Sequence, residues 1–325
     1  MSDGDEFAML PENAADAGLT WVSPPAVRRV DVEVGPGRTV SALAWGSGPP
    51  EFVLLHGGAQ NAHTWDTVAL ALDRPLLAID LPGHGHSSWR GDHDYTPTTL
   101  AADVAVALRS LLGEQGERDL WGVHAINEAR NRGRAPATVV GMSLGGLTAI
   151  CLAADHPDLV DRLVLVDITP STDAAKAEPV LAFIAGPERF GSFQEILDRT
   201  IAFNPSRSES SLRRGVIHNA RELPDGSWVW RWDPEARWRS SQEPTGSGAG
   251  VAGFEALWGA VVGIRVPVLL VRGERSTVVS DDDVIRLIDY QPGTTVEVVA
   301  GAGHSIQGDQ PVALAEILRR FAEYF

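Results

Sequence analysis

Ser143 lies in Gly141-Met142-Ser143-Leu144-Gly145, between an apolar run and a stretch of helical spacing. A tight strand-to-helix turn can present a serine as a nucleophile, but it needs small residues on both flanks. A Cβ there would strike the neighbouring backbone. The same turn aims the first free N–H groups of the helix at whatever the serine attacks. Upstream, Phe52-Val53-Leu54-Leu55 runs into His56-Gly57-Gly58. A tetrahedral oxyanion needs two preorganised donors, and the backbone amides of Gly58 and Leu144 are the candidates. A third strand-to-loop passage, Ile79-Asp80-Leu81-Pro82-Gly83-His84-Gly85-His86, carries two histidines. No acidic or cysteine partner stands at ligand spacing from them, so no metal site is expected.

These motifs need a scaffold, and the apolar pattern supplies one. Val27–Val34 and Thr39–Trp45 alternate around Gly35-Pro36-Gly37-Arg38 and predict an opening hairpin. Short apolar runs follow at Phe52–Leu55, Leu76–Ile79, Thr138–Val140, Leu163–Val166, Val268–Val271 and Val296–Val299. Stretches with three- and four-residue apolar spacing, such as Leu100–Leu112 and Val312–Phe325, separate most of them. Strands apolar on both sides and alternating with helices predict a mainly parallel sheet covered by helices, an α/β fold. The alternation lapses at Glu114–Pro136, where an extra helix is expected near Val123–Arg130. It lapses again from about Pro170 to Gly263. Because the strand pattern resumes at Val268, the second lapse reads as an inserted cap. The expected organisation is an acidic arm at 1–26, a core at 27–170 and 264–325, and a cap at 171–263.

The ordered set His56-Gly57-Gly58, Asp80-Leu81-Pro82-Gly83-His84-Gly85, Gly141-Met142-Ser143-Leu144-Gly145 and Gly301-Ala302-Gly303-His304 resembles the α/β-hydrolase superfamily. The resemblance covers the core and places the insertion where that superfamily usually carries its cap. It implies a mostly parallel central sheet flanked by helices, with a mainly helical cap. It also implies that His304, after the last strand, is the general base, since a loop at the carboxyl edge of the sheet can deliver it to the serine. The triad acid departs from the commoner pattern. Where the superfamily often has Gly-x-x-Asp, this chain has Gly273-Glu274-Arg275-Ser276. Asp167, ending the strand Leu163–Val166, resembles the acid of a subset that includes some dehalogenases and zearalenone-type lactonases, and is the favoured candidate. Asp281, Asp282 and Asp283 are the alternatives, although they also suit the acidic first turn of the next helix.

The implied activity is two-step acyl transfer without a cofactor, cleaving a carboxylic ester or lactone through an acyl-enzyme. The cap bears on the substrate. Trp228, Trp230 and Trp232 alternate along Asp225–Asp233, which puts three rings on one face of an extended segment. Trp238, Phe254 and Trp258 follow nearby. Such rings either line an apolar pocket, or pack the cap, or make a homodimer contact. The candidate substrate contacts are Phe183, Phe190, Trp228 and Trp230 of the cap, with Gly57, Met142 and Ile306 beside the core motifs. A bulky apolar ester or a macrocyclic lactone such as zearalenone fits this expectation. Carbon–carbon bond hydrolysis of a ring-cleavage dienoate is the alternative, and would need an arginine such as Arg189, Arg199 or Arg231 to hold a carboxylate. A non-catalytic small-ligand receptor is a third reading, separable by labelling with a serine-directed phosphonate.

Composition narrows the field. The chain has 325 residues, 44% hydrophobic and 22% charged, enough for a packed core. Its net charge of −16 repels phosphate backbones, so no nucleic-acid partner is expected. The single cysteine, Cys151, excludes an internal disulfide. No run of 18 apolar residues occurs and residues 1–27 carry no Lys or Arg, so a cytoplasmic protein with no membrane partner is expected. The acidic arm is expected to be a solvated or loosely docked tail, with a dimer clasp as the alternative.

Overall fold

The structure, a computed structural model, describes residues 6–113, 116, 137–171, 174–236, 254 and 256–324. The helix expected near Val123–Arg130, the Gly/Ser-rich piece from Ser240 to Gly250, and Trp238 lie outside the described residues. The strands in chain order are β1 (Val27–Gly35), β2 (Arg38–Trp45), β3 (Phe52–Leu55), β4 (Leu76–Asp80), β5 (Ala137–Met142), β6 (Val160–Val166), β7 (Arg189–Phe190), β8 (Ala220–Glu222), β9 (Trp228–Trp230), β10 (Val268–Gly273) and β11 (Thr295–Val299). Eight of them form one sheet, in the order β1-β2-β4-β3-β5-β6-β10-β11. The β1–β2 hairpin is antiparallel, as is the pairing of β2 with β4, while every pairing from β4 to β11 is parallel. This is the α/β architecture that the apolar runs predict. Each run lies within a strand, and from β3 to β10 alternate residues of the runs are buried in opposite cores, whereas on the edge strand β11 Val298 is exposed. On β3, Phe52 and Leu54 join one apolar cluster while Val53 and Leu55 join the other.

Helices cover both faces. They are α1 (Leu10–Asp16), α2 (Asp66–Leu72), α3 (Pro97–Leu111), α4 (Leu144–Asp155), α5 (Ala174–Ile184), α6 (Phe193–Phe203), α7 (Glu209–Asn219), α8 (Leu257–Gly263), α9 (Asp281–Tyr290), α10 (Ile306–Asp309) and α11 (Pro311–Tyr324). α3, α4, α8 and α9 pack on one face, and α1, α2 and α11 on the other. None of the described helices is long and apolar enough to cross a membrane.

Two expectations change in detail. The insertion, expected as a mainly helical cap, also holds a three-stranded antiparallel sheet, β7-β9-β8, because the tryptophan segment forms its central strand. The acidic arm, expected as a solvated or loosely docked tail, is docked through a buried leucine. Leu10 is only 2% exposed and joins the apolar cluster of α2 and α11. Burying a leucine contributes about 1.5–3 kcal/mol. The arm's charges are matched as well. Glu6 pairs with Arg29 and His63, while Asp16 pairs with Arg214 at 2.5 Å.

Candidate active site

The nucleophile turn depends on glycine at both flanks. Ser143, between β5 and α4, has φ +51° and ψ −120°. A Cβ on Gly141 would lie 2.3 Å from the Gly145 carbonyl oxygen, and one on Gly145 would lie 2.3 Å from that of Leu55. Both glycines are therefore dictated by close approach, as the motif predicts. The amides of Gly146 and Leu147 turn back to the Ser143 carbonyl at 2.8 and 3.0 Å. Leu144, the first residue of α4, points its N–H away from the helix ladder, as the start of any helix must.

His304 follows β11 and faces Asp167 at the end of β6. Its Nδ1 is 2.8 Å from Asp167 Oδ2. Asp167 is fully buried, and its other oxygen, Oδ1, accepts from the Gly273 amide at 3.0 Å. Ser276, standing where an aspartate is commoner, donates its hydroxyl to Oδ2 of Asp167. The alternative acids point elsewhere. Asp281 bonds Arg272 at 2.7 Å, Asp282 is exposed, and Asp283 closes a capping box with Ser280 and pairs with Lys176 at 2.6 Å. His304 and Ser143 line the same cavity.

Gly58 lies in a loop whose neighbouring groups are already engaged. The Gly57 amide donates to Gln60 Oε1 and the Ala59 amide to His84 Nε2, each at 3.1 Å. Gly58, between them, borders the cavity. Two histidines brace this loop, a role that sequence reasoning missed. His56 accepts from the Leu81 amide at 2.9 Å through Nε2 and donates through Nδ1 to the Gly57 carbonyl at 2.8 Å. His84 donates through Nδ1 to the Pro82 carbonyl at 3.1 Å. Each ring accepts at one nitrogen and so must be neutral. Burial depresses both pKa values, that of His84 to about 3, with the adjacent His56 adding to the effect. Asp80 ties the surrounding segments together, accepting from the amides of Ala62 at 2.7 Å and His86 at 3.0 Å and from Arg29 at 2.8 Å.

The cavity has a volume of about 220 Å³ between core and cap. Gly57, Gly58 and Met142 line it from the core, and Phe183 and Trp230 line it from the cap. Three expected contacts do not. Phe190 is buried in the cap's own core, edge-on to Trp230 at 5.6 Å. Trp228 packs edge-on to Phe193 at 5.3 Å. Ile306 is turned into the apolar cluster of α2 and α11. Trp230 stacks on Trp232 at 4.3 Å, so most of this aromatic segment packs the cap and one ring reaches the cavity. Trp258 packs in the main core against Tyr290 and beneath Arg286. Apolar periodicity identifies a buried face, but does not distinguish a cap core from a ligand wall. Also missed was Asn219, at the end of α7, which donates to the Ala59 carbonyl at 2.7 Å and accepts from Asn61 at 3.1 Å. It joins the cap to the Gly58 loop.

Another part of the wall is a histidine cluster. His63, Asp66 and His218 offer possible ligand atoms within 4.8 Å of one another. Both nitrogens of His63 face carboxylates, Nδ1 to Asp66 at 2.9 Å and Nε2 to Glu6 at 3.0 Å. That is the arrangement of an imidazolium ion. Burial opposes the charge, but Asp66 and Glu6 overrule it and raise His63 to about 9. His218 stacks on His63 at 3.6 Å, and burial with the neighbouring cation pushes it down to about 2.

Comparison with known proteins agrees with this fold. Residues 52–317 match the alpha/beta hydrolase family. The chain is similar to esterase Rv0045c of Mycobacterium tuberculosis, with 44% identity over 97% of this chain and 95% of that one. The crystal structure of that esterase superposes with a TM-score of 0.79, covering 99% of each chain. The pimeloyl-acyl-carrier-protein methyl ester esterase of Aeromonas hydrophila is 27% identical over 87% of this chain and 99% of its own.

Proposed function

The chain belongs to the α/β hydrolase family, and from that premise we propose that it hydrolyses carboxylic esters through an acyl-enzyme on Ser143. The observation that carries this reading is the 2.8 Å contact of His304 Nδ1 with Asp167, with His304 bordering the same cavity as Ser143. Asp167 fixes the tautomer by accepting the Nδ1 proton, which leaves Nε2 to take the proton of Ser143. The serine oxygen then bonds to the ester carbon, and the carbonyl oxygen gains negative charge. The amides of Gly58 and Leu144 stabilise it, which costs no reorganisation because the turn and the braced loop hold them in place. His304 returns its proton to the leaving alkoxide. It then deprotonates a water that attacks the acyl-enzyme, and receives the proton back as the acid leaves. No step requires a cofactor.

A cavity of about 220 Å³ is smaller than the roughly 300–1,000 Å³ usual for pockets that enclose drug-sized ligands. It favours an ester of modest size over a macrocyclic lactone. None of the three arginines expected for the dienoate reading lines the cavity. Arg189 pairs with Asp225 on the surface, Arg199 lies over Phe183 and bonds its carbonyl, and Arg231 bonds the Ala220 carbonyl. The decisive variant is Ser143→Ala, assayed on p-nitrophenyl butyrate and probed with a serine-directed fluorophosphonate. The expected result is native circular dichroism, no labelling, and turnover at least about a thousandfold lower. Undiminished hydrolysis by this variant would falsify the assignment.

A further inference from the structure

Arg207, between α6 and α7, is a cation on the cavity wall whose charge the chain leaves unmatched. Among the described residues no carboxylate lies within ion-pair distance of it, and its polar contact is to Ser211 Oγ at 2.9 Å through Nη2. Its Nε is buried without an acceptor. Arg214 on the same wall shows the contrast, held by Asn13 at 2.7 Å, Asp16 at 2.5 Å and Glu12 at 3.5 Å. In a chain of net charge −16, with 43 acidic side chains available, an arginine left without a carboxylate is not explained by shortage. Burial depresses its pKa, and the carboxylate of Asp309, beyond ion-pair distance, opposes that.

The guanidinium is also placed, not merely left over. A Cβ on Gly308 would lie 2.7 Å from Arg207 Nη1 and 2.8 Å from its Cζ, so the group lies directly against a glycine four residues after His304. Asn204 and Ser211 border the cavity with it, as do the apolar side chains of Phe183, Leu212 and Val216. The cavity lining thus combines apolar side chains with a cation that no carboxylate of the described residues pairs. A planar guanidinium with free N–H groups matches a carboxylate in shape and charge. A charged group held at a desolvated wall discriminates against a substrate that leaves it unpaired.

We propose that Arg207 is a specificity-determining residue that binds a carboxylate on the substrate, remote from the scissile ester. The inference rests on the ester-hydrolase reading above and deepens it. The carboxylate belongs either to the acyl chain or to the alcohol, and two pairs of probes separate these. On the acyl side, p-nitrophenyl hemiglutarate is compared with its neutral isostere, p-nitrophenyl 5-methylhexanoate. On the alcohol side, 4-acetoxybutanoate is compared with 4-methylpentyl acetate. The wild-type enzyme is expected to favour the anionic member of one pair by at least about tenfold in kcat/KM, mainly through KM. Arg207→Met is expected to erase that preference, and Arg207→Lys to keep part of it. Two results overturn the proposal: a wild-type enzyme that favours neither anionic ester, or an Arg207→Met variant that loses activity equally on both members of the favoured pair. The second would make Arg207 a structural pin on Gly308. Wild-type turnover of the neutral esters reports separately on the ester-hydrolase reading, which stands if those are cleaved and falls if none of the four is.

Discussion

Ser276 donates its hydroxyl to the same carboxylate oxygen of Asp167 that faces His304 Nδ1. The position that more often supplies the acid here supplies a donor to an acid placed on a different strand. Asp167 accepts from Ser276, His304 and the Gly273 amide. Three donors thus hold this one carboxylate in place. They also fix which way its lone pairs face, so the hydroxyl of Ser276 orients the group that orients the histidine.

Ser276→Ala should therefore lower kcat by about tenfold with KM little changed, since a hydrogen bond to a charged group contributes roughly 1.5–3 kcal/mol and part of that remains with the other donors. Asp167→Asn should cost about 10³–10⁴ in kcat, because an amide favours the wrong tautomer of the histidine. The double change Asp167→Asn with Ser276→Asp moves the acid to the commoner position and should recover at least about tenfold over Asp167→Asn alone. Steady-state kinetics on an aryl ester decide this. No recovery in the double variant would mean that position 276 cannot reach His304.

Asn219 couples the cap to the Gly58 loop through its bonds to Ala59 and Asn61. Asn219→Ala removes both while leaving Ser143, His304 and Asp167 in place. The expected loss is about tenfold in kcat, less than the roughly hundredfold that deletion of an oxyanion donor itself brings. Labelling of Ser143 by a small fluorophosphonate should slow in step. A variant with wild-type kcat would show that the Gly58 loop is held by His56 and His84 alone.

Gly145 tests the turn as architecture. With Leu55 O at 2.3 Å from a built Cβ, Gly145→Ala forces β3 and α4 apart. A destabilisation of roughly 1–3 kcal/mol or more is expected from such overpacking, read as a lower urea midpoint with unchanged slope. A Cβ on Gly91 would meet nothing within 4 Å, so Gly91→Ala serves as the control and should shift the midpoint little.

The strands and the nucleophile were legible because each is a local pattern. Phe52–Leu55 reads as a strand from four consecutive apolar residues buried on both faces. Ser143 and His304 announce themselves through the small residues that flank them. What stayed hidden are pairings between distant segments: Asn219 with Ala59, Glu6 with His63, and Arg207 against Gly308. No spacing rule links such positions, because chain folding alone brings them together. The docked arm belongs to this group. Its acidic composition resembles that of a solvated tail, yet Glu6, Glu12 and Asp16 each meet a cation. The tryptophans failed differently. Their period was right, but what they were buried against was not encoded in it.

The arm's attachment should depend on pH with a definite sign. Glu6 and Asp66 face His63 from α1's leading segment and from α2, His218 stacks on it from α7, and Arg29 on β1 shares Glu6. His63 is raised from 6.5 to about 9, so its stabilising contribution is complete below 6.5 and is lost as pH rises through 9. Glu6 is opposed by burial but lowered by His63 and Arg29 from 4.5 to about 2, so its contribution is present above 4.5 and lost as pH falls toward 2. His218, depressed to about 2, adds a loss below 6.5, because the unfolded chain then takes up a proton the folded one refuses. Asp66, raised by burial, opposes the acid-side losses, while on the alkaline side stability should fall from about pH 6.5 to 9 as His63 loses its proton. Glu6→Gln removes one of the two carboxylates holding that proton and should flatten the limb between pH 6.5 and 9. Urea midpoints across pH 5–9.5, with limited proteolysis of the arm at each pH, measure this. An alkaline limb equally steep in Glu6→Gln and wild type would assign it to some group other than His63.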